Sequence, residues 1–275
     1  MNRPRPQATA RSPFAGCAIL IAALCVMVFL VVFSVYALFR QYGEIEKFTG
    51  DKAIGISVSK VEDNEAAANQ LAEKIEAFRQ ELTGDGEARL ALSPEEINLA
   101  IGLYEPFKDL RGTFRVQTID DKLRIAISFP LNGKPRLAKD GEDGWITSDG
   151  RFLNGTMVCT PGLLSRELVL QVNDIEVPHG TVPEEFTAQM SPYRIAERYK
   201  TDAALGPPMA KLTRVSLENG TLVLARVPGE TPQDVITDAQ VDKASTRFFT
   251  MLGIAATMFL LVAGTIVFIG LKARK

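Results

Sequence analysis

Apolar and polar positions divide the chain into three parts. Residues 14–39 and 248–271 are two uncharged apolar stretches, each longer than the roughly 20 residues that a helix needs to cross a bilayer core. Between them, apolar residues recur singly among charged ones, as in a folded domain. The pattern predicts two transmembrane helices that bracket one domain, with short tails at residues 1–13 and 272–275.

Helical spacing dominates the first part of the domain, which we assign to residues 63–226. Leu71, Ile75, Phe78 and Leu82 recur at intervals of three and four, which predicts a helix over residues 64–82. A second helix is predicted from Ser93 to about residue 104, because Ser93 can cap it, Pro94 suits its first position and Glu96 completes a capping box. Two short helices are predicted at residues 183–190 and 192–201, with Ser191 as the cap of the second.

Alternation with a period of two predicts the strands. The segments are residues 88–92, 114–118 with 123–129 around an Asp-Asp turn, 155–160 with 167–177, and 212–224 around Asn219-Gly220. Residues 130–149 are rich in Gly, Pro and Asp and are predicted to form an exposed loop with Trp145 folded onto the domain. The resulting fold class is α+β with a mostly antiparallel sheet, joined to the spans by a juxtamembrane segment, residues 40–62, and a linker, residues 227–247.

Charge sets the predicted orientation. The two tails carry six basic residues and no acid, while all 33 acidic residues and 25 of the 31 basic ones lie between Arg40 and Arg247. Basic residues beside spans stay cytoplasmic, so both tails are predicted to be cytoplasmic and the domain extracytoplasmic, at the cytoplasmic (inner) membrane. The net −8 of the central region argues against nucleic acid. It leaves the lipid bilayer, an apolar ligand or a membrane protein as partner classes.

The first apolar stretch has an alternative interpretation. Residues 35–37 resemble the small-residue site of a cleaved signal peptide, but the run of 26 residues exceeds the roughly 7–15 of a signal core and favours an uncleaved anchor. Ala18 and Ala22 in the first stretch, and Gly253 and Thr257 in the last, have a spacing that lets helices pack closely. Whether the two spans pair stays open.

We predict no catalytic, cofactor-binding or metal-binding residue. The domain has no Gly-rich phosphate loop, no G-x-S-x-G elbow and no His/Cys ligand set. His179 is the chain's one histidine and, between Pro178 and Gly180, is predicted to be a turn residue. An acidic group between residues 140 and 149 departs from the EF-hand spacing, so a solvated loop is preferred to a calcium site.

Two further side-chain types allow two interpretations each. Cys159, the one cysteine of the domain, is predicted to be a buried, inert thiol, with a reactive or intermolecular thiol as the alternative. Asn154 and Asn219 each begin an Asn-Gly-Thr sequence that has the form of a glycosylation acceptor. Each also suits an Asn-Gly turn, which needs no sugar.

The segment Leu-Ser-Pro-Glu-Glu-Ile-Asn-Leu-Ala at residues 92–100 resembles the helix start of YpmS-like bacterial envelope proteins. Those proteins are similar in having an N-terminal anchor, that helix, paired strands and a Pro-punctuated segment, here residues 168–183 and 215–224. The resemblance implies an extracytoplasmic α+β module with no catalytic residue to carry over. The apolar stretch at residues 248–271 departs from that family's pattern.

Three functions are compatible with these patterns. The leading hypothesis is a non-enzymatic binding or scaffolding protein. Its apolar strand faces could enclose an apolar ligand, and a plain packed core explains the same pattern equally well. A hydrolase would require two carboxylates among Asp120, Asp121, Asp140 and Asp143 to converge, about 5–10 Å apart for glycosidic chemistry. The third hypothesis is an accessory subunit of a membrane complex, for which the small-residue pairs in the spans are the indication.

Overall fold

The computed structural model describes residues 13–57 and 65–236. The predicted second span, the last tail, residues 1–12 of the first tail, residues 58–64 and residues 237–247 of the linker lie outside the described residues. Helix α1, Pro13–Glu46, comes first, and Tyr42–Thr237 form one compact unit. Both are described by themselves below.

Helix α1 contains the first predicted span and continues past it. Its part Val26–Glu46 has a mean hydropathy of 1.6 and is long and apolar enough, by length and composition, to cross a membrane. The large apolar side chains of this part, such as Phe29 and Phe33, are exposed. These features indicate membrane association through α1, and the structure describes no second helix of this kind.

Helices and strands of the compact unit follow the predicted order. The helices are α2 (Glu65–Thr83), α3 (Pro94–Leu103), α4 (Glu184–Met190) and α5 (Gly206–Met209), with short 3-10 turns at Glu105–Leu110 and Glu197–Tyr199. The strands are β1 (Ala88–Leu92), β2 (Phe114–Ile119), β3 (Leu123–Leu137), β4 (Ile146–Leu164), β5 (Glu167–Glu176), β6 (Arg214–Glu218) and β7 (Thr221–Arg226).

The described strands form two antiparallel sheets. One has the order β2-β3-β4-β5 and grows from successive hairpins, whereas the other has the order β1-β7-β6. The second sheet joins the first strand of the domain to its last hairpin, which closes the unit on itself. Asn219 and Gly220 at that hairpin have positive φ values of 49° and 76°, as the predicted Asn-Gly turn requires. Mixed helix and antiparallel sheet confirm the α+β class.

Helix α3 lies between the two apolar cores. Its predicted capping box is confirmed, because Ser93 accepts from the Glu96 N–H and the Glu96 carboxylate accepts from the Ser93 N–H. Leu99 and Ala100 pack with α2 and β1, and Ile101 packs with the four-stranded sheet. One short helix therefore contributes side chains to both clusters.

Asn98 attaches α3 to the edge strand β2. Its side-chain amide donates to the Val116 carbonyl oxygen at 2.7 Å and accepts from the Val116 N–H at 2.8 Å. Asn98 is buried, and Val116 stands where the β2–β3 register shifts. The side-chain amide thus supplies hydrogen-bond partners for both backbone groups of Val116, and buried backbone groups at a strand edge need such partners.

The predicted loop over residues 130–149 is wrong for residues 130–137 and 146–149, which belong to β3 and β4, whereas residues 138–145 do connect the two strands without strand structure. β3 and β4 stay paired as far as Leu137 and Ile146, with an irregularity between Asn132 and Pro135. Proline is tolerated here because the ladder has only two strands, since β2 pairs with β3 no further than Ile127 and β5 with β4 from Thr156 onward. Trp145 is 90% exposed, so its predicted packing onto the domain is wrong as well.

The predicted helix over residues 192–201 is also wrong, apart from one 3-10 turn. Tyr193 exchanges two backbone hydrogen bonds with Leu170 of β5, and the Ser191 hydroxyl accepts from the Val172 N–H rather than capping a helix. Pairing with the strand edge competes successfully with local helix formation in this segment.

Part of the predicted linker belongs to the domain. The Val235 N–H donates to the Leu163 carbonyl oxygen at 2.8 Å, and the Asp234 carboxylate accepts from the Ser165 N–H at 2.8 Å. Asp234 and Val235 therefore contact the end of β4 and the β4–β5 turn, beyond the predicted domain end at residue 226.

We expect Asn98→Leu to lower the free energy of unfolding by about 2–4 kcal/mol, because it leaves the buried Val116 N–H and C=O without partners. Chemical denaturation of the unit 42–237 measures this. Asn69→Leu, at an exposed position of α2, is the control and should change stability by about 0.5 kcal/mol or less. Equal effects of the two substitutions would contradict the role given to the amide.

Candidate functional site: an apolar cavity

A cavity of about 260 Å³ lies between the helices and the three-stranded sheet. α2 contributes Ile75 and Phe78, and α3 contributes Ala100. The opposite walls come from strands β1 and β7 and from residues 195–212, which include Leu205 and Met209. The apolar faces of α2 and α3 point toward this space. Each helix therefore contributes apolar side chains both to the cavity lining and to the packed core beside it.

Nearly every side chain of the lining is apolar. The three exceptions are Arg79, Tyr104 and Tyr199. The Arg79 side chain is 45% exposed and pairs with Glu76 at 3.2 Å, so it marks an edge of the cavity that solvent reaches. Partial burial raises the pKa of the Tyr104 hydroxyl, an effect that the nearby Arg79 charge opposes.

Aromatic rings form one continuous wall. Phe107 meets Tyr104 at a centroid distance of 6.4 Å and Tyr199 at 5.0 Å, both edge to face, which is the favourable arrangement for such rings. Tyr199 is 7% exposed, and its hydroxyl has no hydrogen-bond partner in the described part of the protein. Burial is the main cause that raises the pKa of this hydroxyl. A buried, unpaired hydroxyl is uncommon in native proteins and needs a reason.

A buried ion pair fixes the wall that contains Tyr199. Glu167, at the start of β5, is 2% exposed and accepts from Arg194 Nη2 at 2.7 Å and from Lys200 Nζ at 2.5 Å. The hydrogen bond from Lys200 is the largest cause that lowers the pKa of Glu167. The two cations come from either end of residues 194–200, so one carboxylate holds the whole segment against β5.

The Asp residues proposed for a hydrolase are not brought together. Asp120 and Asp121 lie at the β2–β3 turn, whereas Asp140 and Asp143 lie in the turn between β3 and β4, and all four are exposed. The length of β3, Leu123–Leu137, separates the two pairs by about 48 Å at 3.4 Å per residue. The pairing of distant segments that glycosidic chemistry requires is not formed.

The acidic group of the β3–β4 turn binds an arginine. Arg136 pairs with Glu142 at 2.7 Å and with Asp149 at 2.6 Å. Hydrogen bonds from Arg136 and from the Lys139 N–H lower the pKa of Glu142 to about 2. Among residues 13–57 and 65–236, no three His, Cys, Asp or Glu side chains cluster as metal ligands would.

The other residues that the sequence singled out lie in a bend, in the core and in a strand. His179 lies in an exposed bend beside Gly180, whose φ is 83°, as predicted. Cys159 is fully buried, and burial raises the pKa of its thiol to about 12. Asn154 is inside β4 rather than in a turn, and its amide donates to the Lys52 carbonyl oxygen at 2.8 Å and accepts from Ser128.

Sequence patterns missed most of one cavity wall. Residues 202–211, which include Leu205, Pro208 and Met209, have neither helical nor strand periodicity long enough to be assigned. A signal was present in Leu205 and Met209, four residues apart around a Gly-Pro-Pro sequence, which is compatible with a single apolar helical turn. That turn is α5.

Comparisons with protein family models, curated proteins and solved structures found no match for this chain. The resemblance of residues 92–100 to YpmS-like proteins therefore stays a prediction.

We expect Glu167→Gln to lower the melting temperature at pH 7, because it leaves two cations beside a buried neutral group. The pKa of Glu167 is lowered by folding from its ordinary 4.5, so its contribution is present above that pH and is lost as pH falls through the lowered value. The difference in melting temperature between wild type and variant should therefore shrink as the pH is lowered from 5 to about 3.

Differential scanning calorimetry across this pH range measures the effect. Glu73→Gln, at an exposed position of α2, should match wild type throughout. A difference between wild type and Glu167→Gln that stays constant with pH would show that lost packing, rather than lost charge, causes the destabilisation.

Proposed function

We propose that this protein is a membrane-anchored binding protein whose compact unit holds a small apolar ligand in the cavity. The observation that carries the proposal is the cavity itself, an apolar space of about 260 Å³ with a solvent-accessible edge at Arg79. Ligand sites are typically concave and mostly apolar, with few polar groups that orient the ligand. Tyr104, Tyr199 and Arg79 are the groups of that kind in this lining.

Cavity size limits the ligand class. At about 30 Å³ for each water-sized group, the space holds roughly nine such groups. A single short alkyl chain or one fused ring system fits these dimensions, whereas two full acyl chains do not. The ligand we propose is thus a small hydrocarbon-rich molecule with one polar group.

The proposed cellular setting follows from charge. We place the compact unit on the extracytoplasmic side of the cytoplasmic membrane, with both termini cytoplasmic and residues 248–271 as the second span. The first span acts as an uncleaved anchor in this arrangement. A YpmS-like relationship and an accessory role in a membrane complex are compatible with it, and the carboxylate-dependent hydrolase is the least supported alternative.

Native mass spectrometry of the unit 42–237 tests the proposal, since detergent around the full chain would itself enter an apolar cavity. We expect a co-purified small molecule, or uptake of added naphthalene in a one-to-one complex. A folded unit that neither retains a molecule nor takes up naphthalene would contradict the proposal.

Ala100→Leu gives a sharper test, because Ala100 lines the cavity and a larger side chain occupies it. We expect naphthalene affinity to fall by at least about tenfold, while the stability of the empty unit rises by about 0.5–2 kcal/mol. Ala225→Leu is the matched control, because Ala225 is equally buried but lies in β7 away from the lining. It should lower stability by about 1–3 kcal/mol through overpacking and leave affinity unchanged.

Tyr199→Phe tests the polar group. We expect the empty unit to keep its stability within about 1 kcal/mol, since the lost hydroxyl has no partner. The affinity for 1-naphthol should fall about 2–10-fold, while that for naphthalene stays the same. Isothermal titration measures both, and Tyr193→Phe, outside the lining, is the control. Equal affinities of Tyr199→Phe and wild type for 1-naphthol would exclude the hydroxyl as a ligand contact.

A further inference from the structure

The β3–β4 hairpin extends beyond its sheet as a two-stranded ribbon. β2 pairs with β3 no further than Ile127 of β3, and β5 pairs with β4 only from Thr156 of β4 onward. Residues 128–137 and 146–155 therefore pair only with each other over most of their length. We call residues 137–146 the hairpin tip. At the base of the tip Arg136 pairs with Glu142 and Asp149, and the Ala138 N–H donates to the Trp145 carbonyl oxygen at 3.1 Å.

The hairpin tip exposes large apolar side chains. Leu137 is 78% exposed, Trp145 90% and Ile146 71%. Across the described residues of Tyr42–Thr237, Ile54 is the one other large apolar side chain that is exposed. Exposure of this kind, concentrated at one end of a hairpin, indicates a surface that contacts an apolar phase.

The ribbon is tied at its base to the residues that follow α1. Gly50 and Phe152 exchange two backbone hydrogen bonds of 2.9 and 2.8 Å. Arg151 Nη2 donates to the Glu46 carbonyl oxygen at 3.0 Å and to that of Thr49 at 2.6 Å. Glu46 is the last residue of α1, so the ribbon begins where the apolar helix ends.

The length of the ribbon and the charges near its tip favour the bilayer as this apolar phase. Six residues separate Phe152 from Ile146, or about 20 Å of strand, and seven helical residues separate Glu46 from the end of the predicted span at Phe39, or about 10 Å. A bilayer surface around α1 is within this reach. Three basic and four acidic residues lie between residues 134 and 149, so attraction to anionic headgroups contributes little. Tryptophan is enriched at the membrane–water interface.

We propose that the hairpin tip inserts Leu137, Trp145 and Ile146 into the interfacial layer of the bilayer that α1 spans. The contact gives the compact unit a second attachment to the membrane besides its covalent anchor. It rests on the anchoring of α1 and is independent of any ligand in the cavity.

Trp145 reports on the contact directly, since it is the chain's one tryptophan. The full chain is reconstituted into phosphatidylcholine vesicles, with and without acyl chains brominated at the level of an interfacial residue, roughly 5–10 Å below the headgroups. We expect brominated lipid to quench Trp145 emission strongly and aqueous iodide to quench it weakly. Strong iodide quenching with no effect of brominated lipid would overturn the proposal.

Two variants separate insertion from other causes of protection. Replacing both Leu137 and Ile146 by Ser should shift Trp145 emission to longer wavelength and restore iodide quenching, whereas Ile54→Ser should change neither. A partner protein gives a different pattern. If Trp145 is exposed to iodide in pure lipid vesicles but protected in native membranes, the tip binds a protein and the proposal is overturned.

Discussion

The side-chain amide of Asn98 is the interaction on which the arrangement of this domain depends. It fills both hydrogen-bonding positions of Val116 at the edge of the four-stranded sheet, and it fixes α3 there. Neighbouring side chains of α3 enter the two apolar clusters, Ile101 on one side and Leu99 on the other. An unpaired backbone group at this depth would cost about 1–3 kcal/mol, so α3 has little freedom to move away from β2. The cavity exists because α3 is held there while the space toward residues 195–212 stays unfilled.

The unfilled space is maintained by two different kinds of contact. Edge-to-face rings from Tyr104 through Phe107 to Tyr199 form a stiff wall, and the Glu167 ion pair holds that wall against β5. A hydrophobic core normally closes over a void of this size, because contraction recovers dispersion energy. Here the segment that would collapse is fixed by a buried charge and by the backbone exchange between Tyr193 and Leu170. Rigid walls around an apolar space are what preorganised binding requires.

Local chemistry explains which elements could be predicted from the sequence. The capping box at Ser93 and the Asn219-Gly220 turn each specify their structure within four residues, and both are confirmed. Residues 130–137, 146–149 and 192–201 were assigned wrongly because their structure depends on distant partners. Proline and glycine in the ribbon are tolerated only because neither neighbouring strand extends alongside it, which depends on the lengths of β2 and β5. Residues 191–193 pair with β5, a contact that helical spacing in the segment itself does not reveal. The cavity has the same origin, since its walls come from segments more than a hundred residues apart, such as Phe78 and Met209.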